Sequence, residues 1–291
     1  MRRIVTVIGI LAVLGIGVFV FFSLRGKTLE PLPIPDEKTE NVGTHEVIGT
    51  SVQGRTIDAY TYGTGAIHLL FVGGIHGGYE WNSVLLAYQF MDFLTANPTI
   101  IPTNLTITVI PSANPDGVFK VVGKDGRFTS ADVSSSQEVA ASGRFNAHGV
   151  DLNRNFDCKW KSESTWRSQI VSAGTSAFSE PETTALRDFI LKDTPSAVVF
   201  WHSQSNAVYA SECEKGILPE TLSVMNAYAG ASGYPAVTIF DAYPITGDAE
   251  GWLASINIPA VTVELQTHET IEWERNLAGI KALFTLYPAV Q

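Results

Sequence analysis

The chain of 291 residues has little cysteine, and this scarcity excludes several kinds of site. Its only cysteines are Cys158 and Cys213, so no CxxC pair is present and a thiolate zinc cluster is excluded. No cysteine lies near the N-terminus, which excludes a lipid-modified cysteine there. The two cysteines either form one disulfide or stay as buried thiols, and export of the chain would favour the disulfide.

Basic residues are also scarce, because 19 lysines and arginines stand against 29 acidic residues. The formal net charge is −10 and the pI is near 5.0, and no basic run interleaves with aromatic residues. These observations argue against a nucleic acid as partner. A hydrophobic fraction of 45% with a charged fraction of 16% is typical of one large globular domain rather than of a disordered chain.

The N-terminal segment contains an apolar run from Ile4 to Leu24 without a charged residue. At ~1.5 Å per residue, a helix of this length spans roughly 30 Å, the thickness of a bilayer core. We therefore predict a transmembrane helix within residues 1–24, with a cleaved signal peptide as the alternative. The flanking charges favour a membrane-anchored protein whose remaining chain is extracytoplasmic, or a secreted protein if the segment is removed.

The rest of the chain divides into a linker and one domain. Residues 25–42 contain several prolines and charges and are predicted to form an extended linker. Residues 43–291 show no internal repeat and are interpreted as a single domain. Helical patterns in this domain alternate with apolar runs that are rich in Val, Ile, Thr and Phe. The predicted strands are 66–72, 105–110, 197–201 and 259–265.

These apolar runs are nearly continuous, which is typical of strands that are covered on both faces. Strands alternating with helices predict an α/β fold, a three-layer sandwich with a central mixed, mostly parallel, twisted β-sheet flanked by helices. Residues 111–178 lack periodicity and are rich in Gly, Ser, Asn and Asp. Long irregular segments in compact domains usually carry function.

Two histidines follow two of the predicted strands, His76 after the first and His202 after the third. Glu80 comes shortly after His76. In open α/β sheets, ligands bind outside the carboxyl ends of the strands. Two imidazoles and one carboxylate, with a fourth position left open, are the ligand pattern of catalytic zinc. Because the chain has no HExxH motif, these ligands would have to come from separate strand ends.

Five short motifs occur in an order that resembles the zinc carboxypeptidase family, over about residues 45–290. The motifs are Gly74-Ile75-His76 with Glu80, Asn114-Pro115-Asp116-Gly117, Gly149-Val150-Asp151-Leu152-Asn153-Arg154-Asn155-Phe156, His202-Ser203 and Val263-Glu264-Leu265. The resemblance implies a zinc-dependent metallocarboxypeptidase that hydrolyses a C-terminal peptide bond. It also implies one Zn²⁺ per chain and a peptide or muropeptide substrate with a free C-terminal carboxylate.

The resemblance further implies roles for individual residues. The metal ligands would be His76, Glu80 and His202, and Glu264 would be the general base that takes a proton from a zinc-activated water. Asn153 and Arg154 would clamp the terminal carboxylate of the substrate, since a guanidinium holds a carboxylate bidentately.

The resemblance implies three further roles. Arg144 is the candidate for stabilising the oxyanion, with Arg127 as its rival. Tyr243 precedes Glu264 where the family has a mobile tyrosine that covers the substrate. Asp248 lies where the family builds its side-chain pocket, and either Asp248 or Glu250 would pair there with a cationic substrate group. The alternative for Asp248 is an N-cap of a helix over residues 249–256.

One spacing departs from the family, because four residue steps separate His76 from Glu80 where three are usual. Gly77 and Gly78 can absorb the extra residue as a bulge, since glycine tolerates positive φ. The alternative is that Glu80 caps the following helix at its positive end.

Three other functions are compatible with the sequence. The first is a cell-wall muropeptide peptidase of the same fold, and the second is an aspartoacylase-like amidohydrolase that shares the zinc core. The third is an inactive binding module with a peptidase fold, against which the intact His76, Glu80, His202 and Glu264 argue.

Overall fold

An eight-stranded mixed β-sheet forms the centre of the protein in a computed structural model, which describes residues 43–288. The predicted membrane segment 1–24 and the predicted linker 25–42 lie outside the described residues. Within 43–288, none of the helices combines the length and the apolar character needed to cross a bilayer.

The sheet has the order β1-β2-β4-β3-β7-β10-β8-β9, and a separate hairpin pairs β5 with β6. The strands are β1 (Thr44–Thr50), β2 (Thr56–Gly63), β3 (Ile67–Val72), β4 (Leu105–Ile110), β5 (Glu163–Trp166), β6 (Gln169–Ser172), β7 (Ala197–Ser203), β8 (Ala207–Ala210), β9 (Ala236–Val237) and β10 (Ala260–Leu265). The four predicted strands are confirmed as β3, β4, β7 and β10. They are neighbours in the sheet and pair in parallel.

Antiparallel pairs join β1 to β2, β2 to β4 and β8 to β10, so the predicted mixed sheet is confirmed. The short outer strands were not predicted, because they lack the continuous apolar run that marks a strand buried on both faces.

Seven α-helices lie among the described residues. They are α1 (Trp81–Ala96), α2 (Pro115–Val122), α3 (Gln137–Ser142), α4 (Pro181–Asp193), α5 (Pro219–Ser232), α6 (Ala249–Ser255) and α7 (Trp273–Leu286). Single 3₁₀ turns occupy Gly77–Glu80, Pro98–Ile100, Ser130–Asp132 and Leu152–Arg154.

The helices cover both faces of the sheet, which confirms the three layers. Successive strand residues point to opposite faces. Leu69 and Phe71 therefore pack in one apolar cluster with α1, α5 and α7, whereas Leu70 and Val72 pack in another with α4 and α6. This burial on both faces explains why the central strands are apolar throughout.

Residues 111–178, predicted to be irregular, contain α2, α3, two of the 3₁₀ turns and the β5–β6 hairpin. The four-residue strands of this hairpin pair from Glu163 with Ser172 to Trp166 with Gln169. The expectation of an irregular segment was therefore wrong for these stretches. Elements this short give too few residues for a period to stand out in the sequence.

Candidate active site

The order of the central strands brings the histidines together at one edge of the sheet. β3 and β7 pair in parallel, with Val72 beside Phe200, so the residues that follow β3 lie next to the end of β7. His76 comes four residues after the end of β3, and His202 is in β7 itself. β10 continues this edge, because its Glu264 is the register partner of His202.

His76, Glu80 and His202 converge with their donor atoms on one point. The Nδ1 atoms of the two histidines are 3.1 Å apart, and Oε1 of Glu80 is 2.8 Å from Nδ1 of His76. Oε2 of Glu80 is 3.0 Å from Nδ1 of His202. All three side chains are buried, and one ligand atom from each lies within 4.8 Å of the other two.

The loop that brings Glu80 to the histidines depends on Gly77. This residue has φ of +48°, a left-handed conformation that glycine adopts at little cost, and it opens the 3₁₀ turn Gly77–Glu80. Glu80 directly precedes α1, but its side chain makes no capping hydrogen bond there. Among the described residues, the carboxylate faces the histidines instead, so the alternative of a helix cap is not supported.

The three residues have the chemistry of a metal site. Nδ1 of both histidines and a carboxylate oxygen face one another, and Oε2 of Glu80 is buried without a well-aligned hydrogen bond. Burial alone would raise the pKa of Glu80, but the charges of His76 and His202 hold it well below its usual range. A cation accepts lone pairs from all three groups at once, and two nitrogens with one oxygen suit Zn²⁺.

Two buried carboxylates lie next to the Nε2 atoms of the histidines, whereas Glu80 contacts their Nδ1 atoms. Oδ1 of Asp151 is 3.4 Å from Nε2 of His76, and Oε1 of Glu250 is 3.2 Å from Nε2 of His202. Carboxylates in this place orient the imidazoles of metal sites. Neither the pairing of Asp151 with His76 nor that of Glu250 with His202 was predicted from the sequence. Two features of the sequence could have indicated these roles. Asp151 lies inside one of the five motifs, and Glu250 is an acidic residue in the otherwise largely apolar helix α6.

Arg144 is buried beside this group. Its Nε and Nη2 contact Oδ2 of Asp151 at 2.8 Å, and its Nη1 lies 3.7 Å from Oε1 of Glu80. Its rival Arg127 is half exposed and pairs with Asp92 on the surface. Arg127 therefore lies outside the site and does not line the cavity that opens over these residues.

Glu264 projects from β10 into the same space and is half-buried, with its Oε2 unpaired. Burial raises the pKa of Glu264 to about 7, and the nearby Glu80 carboxylate adds to this effect. A carboxyl group in this state exchanges a proton near neutral pH.

A cavity of about 500 Å³ opens over these residues. It is lined by the predicted metal ligands and by Glu264, Arg144, Asn153, Arg154, Tyr243 and Asp248. Arg154 is buried and donates from Nε and Nη2 to the carbonyl oxygen of Thr165. The Asn153 side chain accepts from the backbone N–H of Ala249 and donates to Glu250. The β5–β6 hairpin, which the sequence did not indicate, adds Trp166 and Arg167 to the wall.

The remaining predicted residues lie on the segment between β9 and α6. Tyr243 is half-buried, and its ring packs against Phe240 at 4.9 Å. Asp248 lines the cavity but also caps α6 by accepting from the N–H of Gly251 at 2.7 Å, as the alternative prediction stated.

Glu250, the alternative partner for a cationic substrate group, lines the cavity but faces other groups of the protein. Its Oε1 accepts from Thr262 and faces His202, and its Oε2 accepts from Asn153. Both oxygens are therefore occupied within the protein.

Cys158 and Cys213 form a disulfide, which confirms the predicted bond. It joins the segment after the Leu152–Arg154 turn to the segment after β8. The residues next to the two cysteines, Lys159 and Glu212, line the cavity and form an ion pair at 3.2 Å. The disulfide thus ties together two parts of the cavity wall.

The sequence is similar to those of several known peptidases. Gamma-D-glutamyl-L-diamino acid endopeptidase 1 of Lysinibacillus sphaericus is 26% identical over 242 residues, covering 75% of this chain and 59% of its own length. Carboxypeptidase B of Helicoverpa zea is 27% identical over 259 residues, covering 79% of this chain and 59% of that protein. The chain therefore spans about three fifths of the length of these curated relatives.

Among solved structures, the murein-tripeptide amidase of Escherichia coli O157 superposes with a TM-score of 0.63. It is 24% identical, and the match covers 84% of this chain and 93% of the amidase. This likeness establishes the shared fold. The sequence model of the zinc carboxypeptidase family matches residues 36–277. The chain therefore belongs to the zinc carboxypeptidase family, a family of zinc-dependent hydrolases.

Proposed function

We propose that the protein is a zinc-dependent metallocarboxypeptidase that hydrolyses the peptide bond next to a free C-terminal carboxylate. The observation that carries this proposal is the convergence, in one cavity, of three metal-binding side chains, the partly buried Glu264 and the guanidinium of Arg154. These are the groups that amide hydrolysis at a chain end requires.

His76, Glu80 and His202 would hold the metal, with Asp151 and Glu250 fixing the two imidazoles from behind. When bound, zinc supplies a Lewis acid that lowers the pKa of water and polarises a carbonyl group. Proton transfer, stabilisation of the oxyanion and binding of the chain end are carried out by the surrounding side chains.

Glu264 acts in this proposal as the proton carrier. Its carboxylate accepts a proton from the attacking water and returns it to the leaving amine. Arg144 donates to the oxyanion that develops on the scissile carbonyl. Because Asp151 already holds the guanidinium in place, little reorganisation is needed when the charge forms.

Arg154 and Asn153 select the chain end. Among the described residues, Arg154 contacts backbone carbonyl oxygens but forms no ion pair with a carboxylate, so its charge is available to a substrate carboxylate. The clamp fixes the last residue of the substrate and thereby places the preceding peptide bond at Glu264 and Arg144. Tyr243, on an exposed segment of the rim, would cover the bound chain end.

Asp248 is proposed to contact the side chain of the terminal residue. It lines the cavity, and its capping bond to Gly251 uses one oxygen. Burial raises the pKa of Asp248 to about 6, with a further contribution from the carboxylate of Glu250. An amino group of the substrate would stabilise the charged form, which favours lysine or a diamino acid at this position.

A muropeptide is the second candidate substrate, and the names of two similar proteins favour it. One is an endopeptidase for γ-D-glutamyl-L-diamino acid bonds, and the other is a murein-tripeptide amidase. Asp248 would accept a diamino acid as readily as lysine. Neither of these two names favours the aspartoacylase-like alternative. The convergence of His76, Glu80 and His202 beside Glu264 argues against the inactive one.

The test is product analysis by mass spectrometry with zinc-loaded protein. The pool contains peptides ending in lysine or leucine, the same peptides with amidated C-termini, and an L-Ala-γ-D-Glu-diaminopimelate muropeptide. We expect release of the terminal residue from free acids and no cleavage of amidated peptides. Cleavage that ignores amidation would contradict the clamp. Equal rates for lysine and leucine would contradict the role of Asp248, and the muropeptide rate decides between the substrate classes.

We also propose that the domain works outside the cytoplasm, anchored through residues 1–24 or secreted. The disulfide supports this location, because such bonds persist in oxidising compartments. Fractionation of cells that produce the full chain, with N-terminal sequencing of the product, tests the location and the cleavage together.

A further inference from the structure

Four lysine and arginine side chains line the cavity, and they differ in their partners. Arg144 is paired with Asp151, and Lys159 is paired with Glu212. Arg154 and Arg167 have no carboxylate partner within residues 43–288. In a chain with net charge −10, an arginine without such a partner in a substrate cavity indicates an anionic group on the substrate. Arg154 has that role in the proposed clamp, whereas the role of Arg167 is still unassigned.

Strand β5 contacts two parts of the site through hydrogen bonds. Ser164 hydrogen-bonds to Thr246, two residues before Asp248. Next, the carbonyl oxygen of Thr165 accepts from Arg154. This end of β5 therefore lies beside the clamp for the chain end.

Trp166, the last residue of β5, lies beside the reaction centre. The ring of Trp166 stacks on the guanidinium of Arg144 at 4.5 Å and contacts the ring of Tyr79 at 5.1 Å. Tyr79 directly precedes the proposed ligand Glu80. Arg167 is the next residue after Trp166 and lies 5.5 Å from its ring.

A substrate that follows this order has its terminal carboxylate at Arg154 and its scissile carbonyl near Arg144. Its preceding residue, on the acyl side of the bond, is then near Trp166 and Arg167. Consecutive Cα atoms are ~3.8 Å apart, so the Cα atoms of Thr165 and Arg167 are separated by roughly 7.6 Å at most. That distance is within the reach of side chains on two successive substrate residues.

The backbone at Arg167 is also unusual for an arginine. Arg167 is the first residue of the two-residue turn between β5 and β6, and its φ is +56°. Glycine or asparagine is favoured at such a turn position. The long cationic side chain of Arg167 therefore lies at the tip of the hairpin, where it is exposed at the rim of the cavity.

We propose that Arg167 determines specificity by binding a carboxylate carried by the residue on the acyl side of the scissile bond. The inference rests on the proposed function and adds a second carboxylate to the substrate. The group has two possible sources, the side chain of an α-linked glutamate or the free α-carboxylate of a γ-linked glutamyl residue. Trp166 supports the arginine by stacking against it.

The test compares kcat/KM for peptides that end in lysine and differ in the preceding residue. The three substrates carry α-linked Glu, α-linked Gln or γ-linked D-Glu at that position. For the unchanged protein, we expect at least one glutamyl substrate to be preferred over Gln by about tenfold. In Arg167→Gln this preference should disappear while the rate on Gln is retained, and Arg167→Lys should keep part of it.

The comparison of the two glutamyl substrates identifies the source of the carboxylate, since only the correct linkage is sensitive to Arg167. High salt should reduce the preference of the unchanged protein, because Arg167 is exposed. Arg127→Gln removes the same charge from a surface site and serves as the matched control. A preference that persists in Arg167→Gln, or none in the unchanged protein, overturns the inference. Failure to cleave any of the three peptides would instead count against the proposed function.

Discussion

Nε and Nη2 of Arg144 both contact one carboxylate oxygen of Asp151, each at 2.8 Å. The other oxygen of Asp151 lies 3.4 Å from Nε2 of His76. Burial alone would raise the pKa of Asp151, but the charges of Arg144, Arg154 and His76 hold it well below its usual range. One ionised carboxylate thus orients a proposed metal ligand and the proposed oxyanion donor together.

Replacing Asp151 with Asn should therefore weaken two functions at once. We expect zinc affinity to fall roughly 10–100-fold, because His76 loses its orienting partner. The free energy of unfolding should fall by about 3–5 kcal/mol, since Arg144 is left buried without its counter-charge. Chelator competition and urea unfolding measure the two effects. Asp157→Asn, an exposed site six residues on, is the control, and equal effects at both positions would contradict the assignment.

Glu264→Gln should keep zinc and lose turnover. The amide has nearly the same shape but cannot accept the proton, so kcat should fall by about 10²–10⁴-fold. Metal analysis and steady-state kinetics with a lysine-terminated peptide test this. The exposed Glu274→Gln should behave like the unchanged protein. A Glu264→Gln protein with more than a tenth of the original kcat would refute a proton-transfer role.

The stability of the metal-free protein should depend on pH through Glu264. Its pKa rises from an ordinary value of 4.5 to about 7 on folding, so the folded state binds more protons between these values. The contribution of Glu264 to the free energy of unfolding is therefore greatest below pH 4.5 and is lost as the pH rises to 7. The unchanged protein should lose more stability over this interval than Glu264→Gln, measured by urea unfolding after zinc removal. Parallel curves for the two proteins would exclude the raised pKa.

The loop from His76 to Glu80 should not tolerate a side chain at Gly77. A Cβ there would lie 2.4 Å from the carbonyl oxygen of Gly143, so the backbone would have to move. We expect Gly77→Ala to reduce stability by about 2–4 kcal/mol, from positive φ and overpacking together, and to weaken zinc binding. Gly123→Ala is matched, since φ is +76° there and a Cβ meets nothing within 4 Å. If both variants bind zinc equally, the glycine is not needed to position Glu80.

Removal of the disulfide should loosen the cavity wall. The Cys158→Ser, Cys213→Ser double variant should be less stable by about 2–4 kcal/mol, because the bond closes a loop across a sequence separation of 55 residues. KM should rise more than kcat falls, since the Lys159–Glu212 pair at the rim would be less well fixed. Thermal unfolding of the unchanged protein with and without reductant provides the comparison. An unaltered melting temperature after reduction would show that the bond contributes nothing to stability.

The sequence alone determined the central part of the fold and the main site candidates. The four continuous apolar runs are the four parallel strands, because only a strand buried on both faces needs apolar residues in succession. His76 and His202 could be found because ligands bind at the carboxyl ends of strands in open α/β sheets. Glu264 could be found because a carboxylate in an apolar strand is costly to bury without a partner. The motif order carried the family resemblance, which the family match confirms.

Only the tertiary structure decided how the remaining residues divide the work. It paired Glu250 with His202, made Asp248 a helix cap and separated Arg127 from Arg144. It also placed Arg167 at the cavity through a hairpin too short to show a period in the sequence. These assignments depend on distances between segments far apart in the chain. Such distances are set by the order of strands in the sheet and by the packing of loops over its edge, which no local pattern encodes.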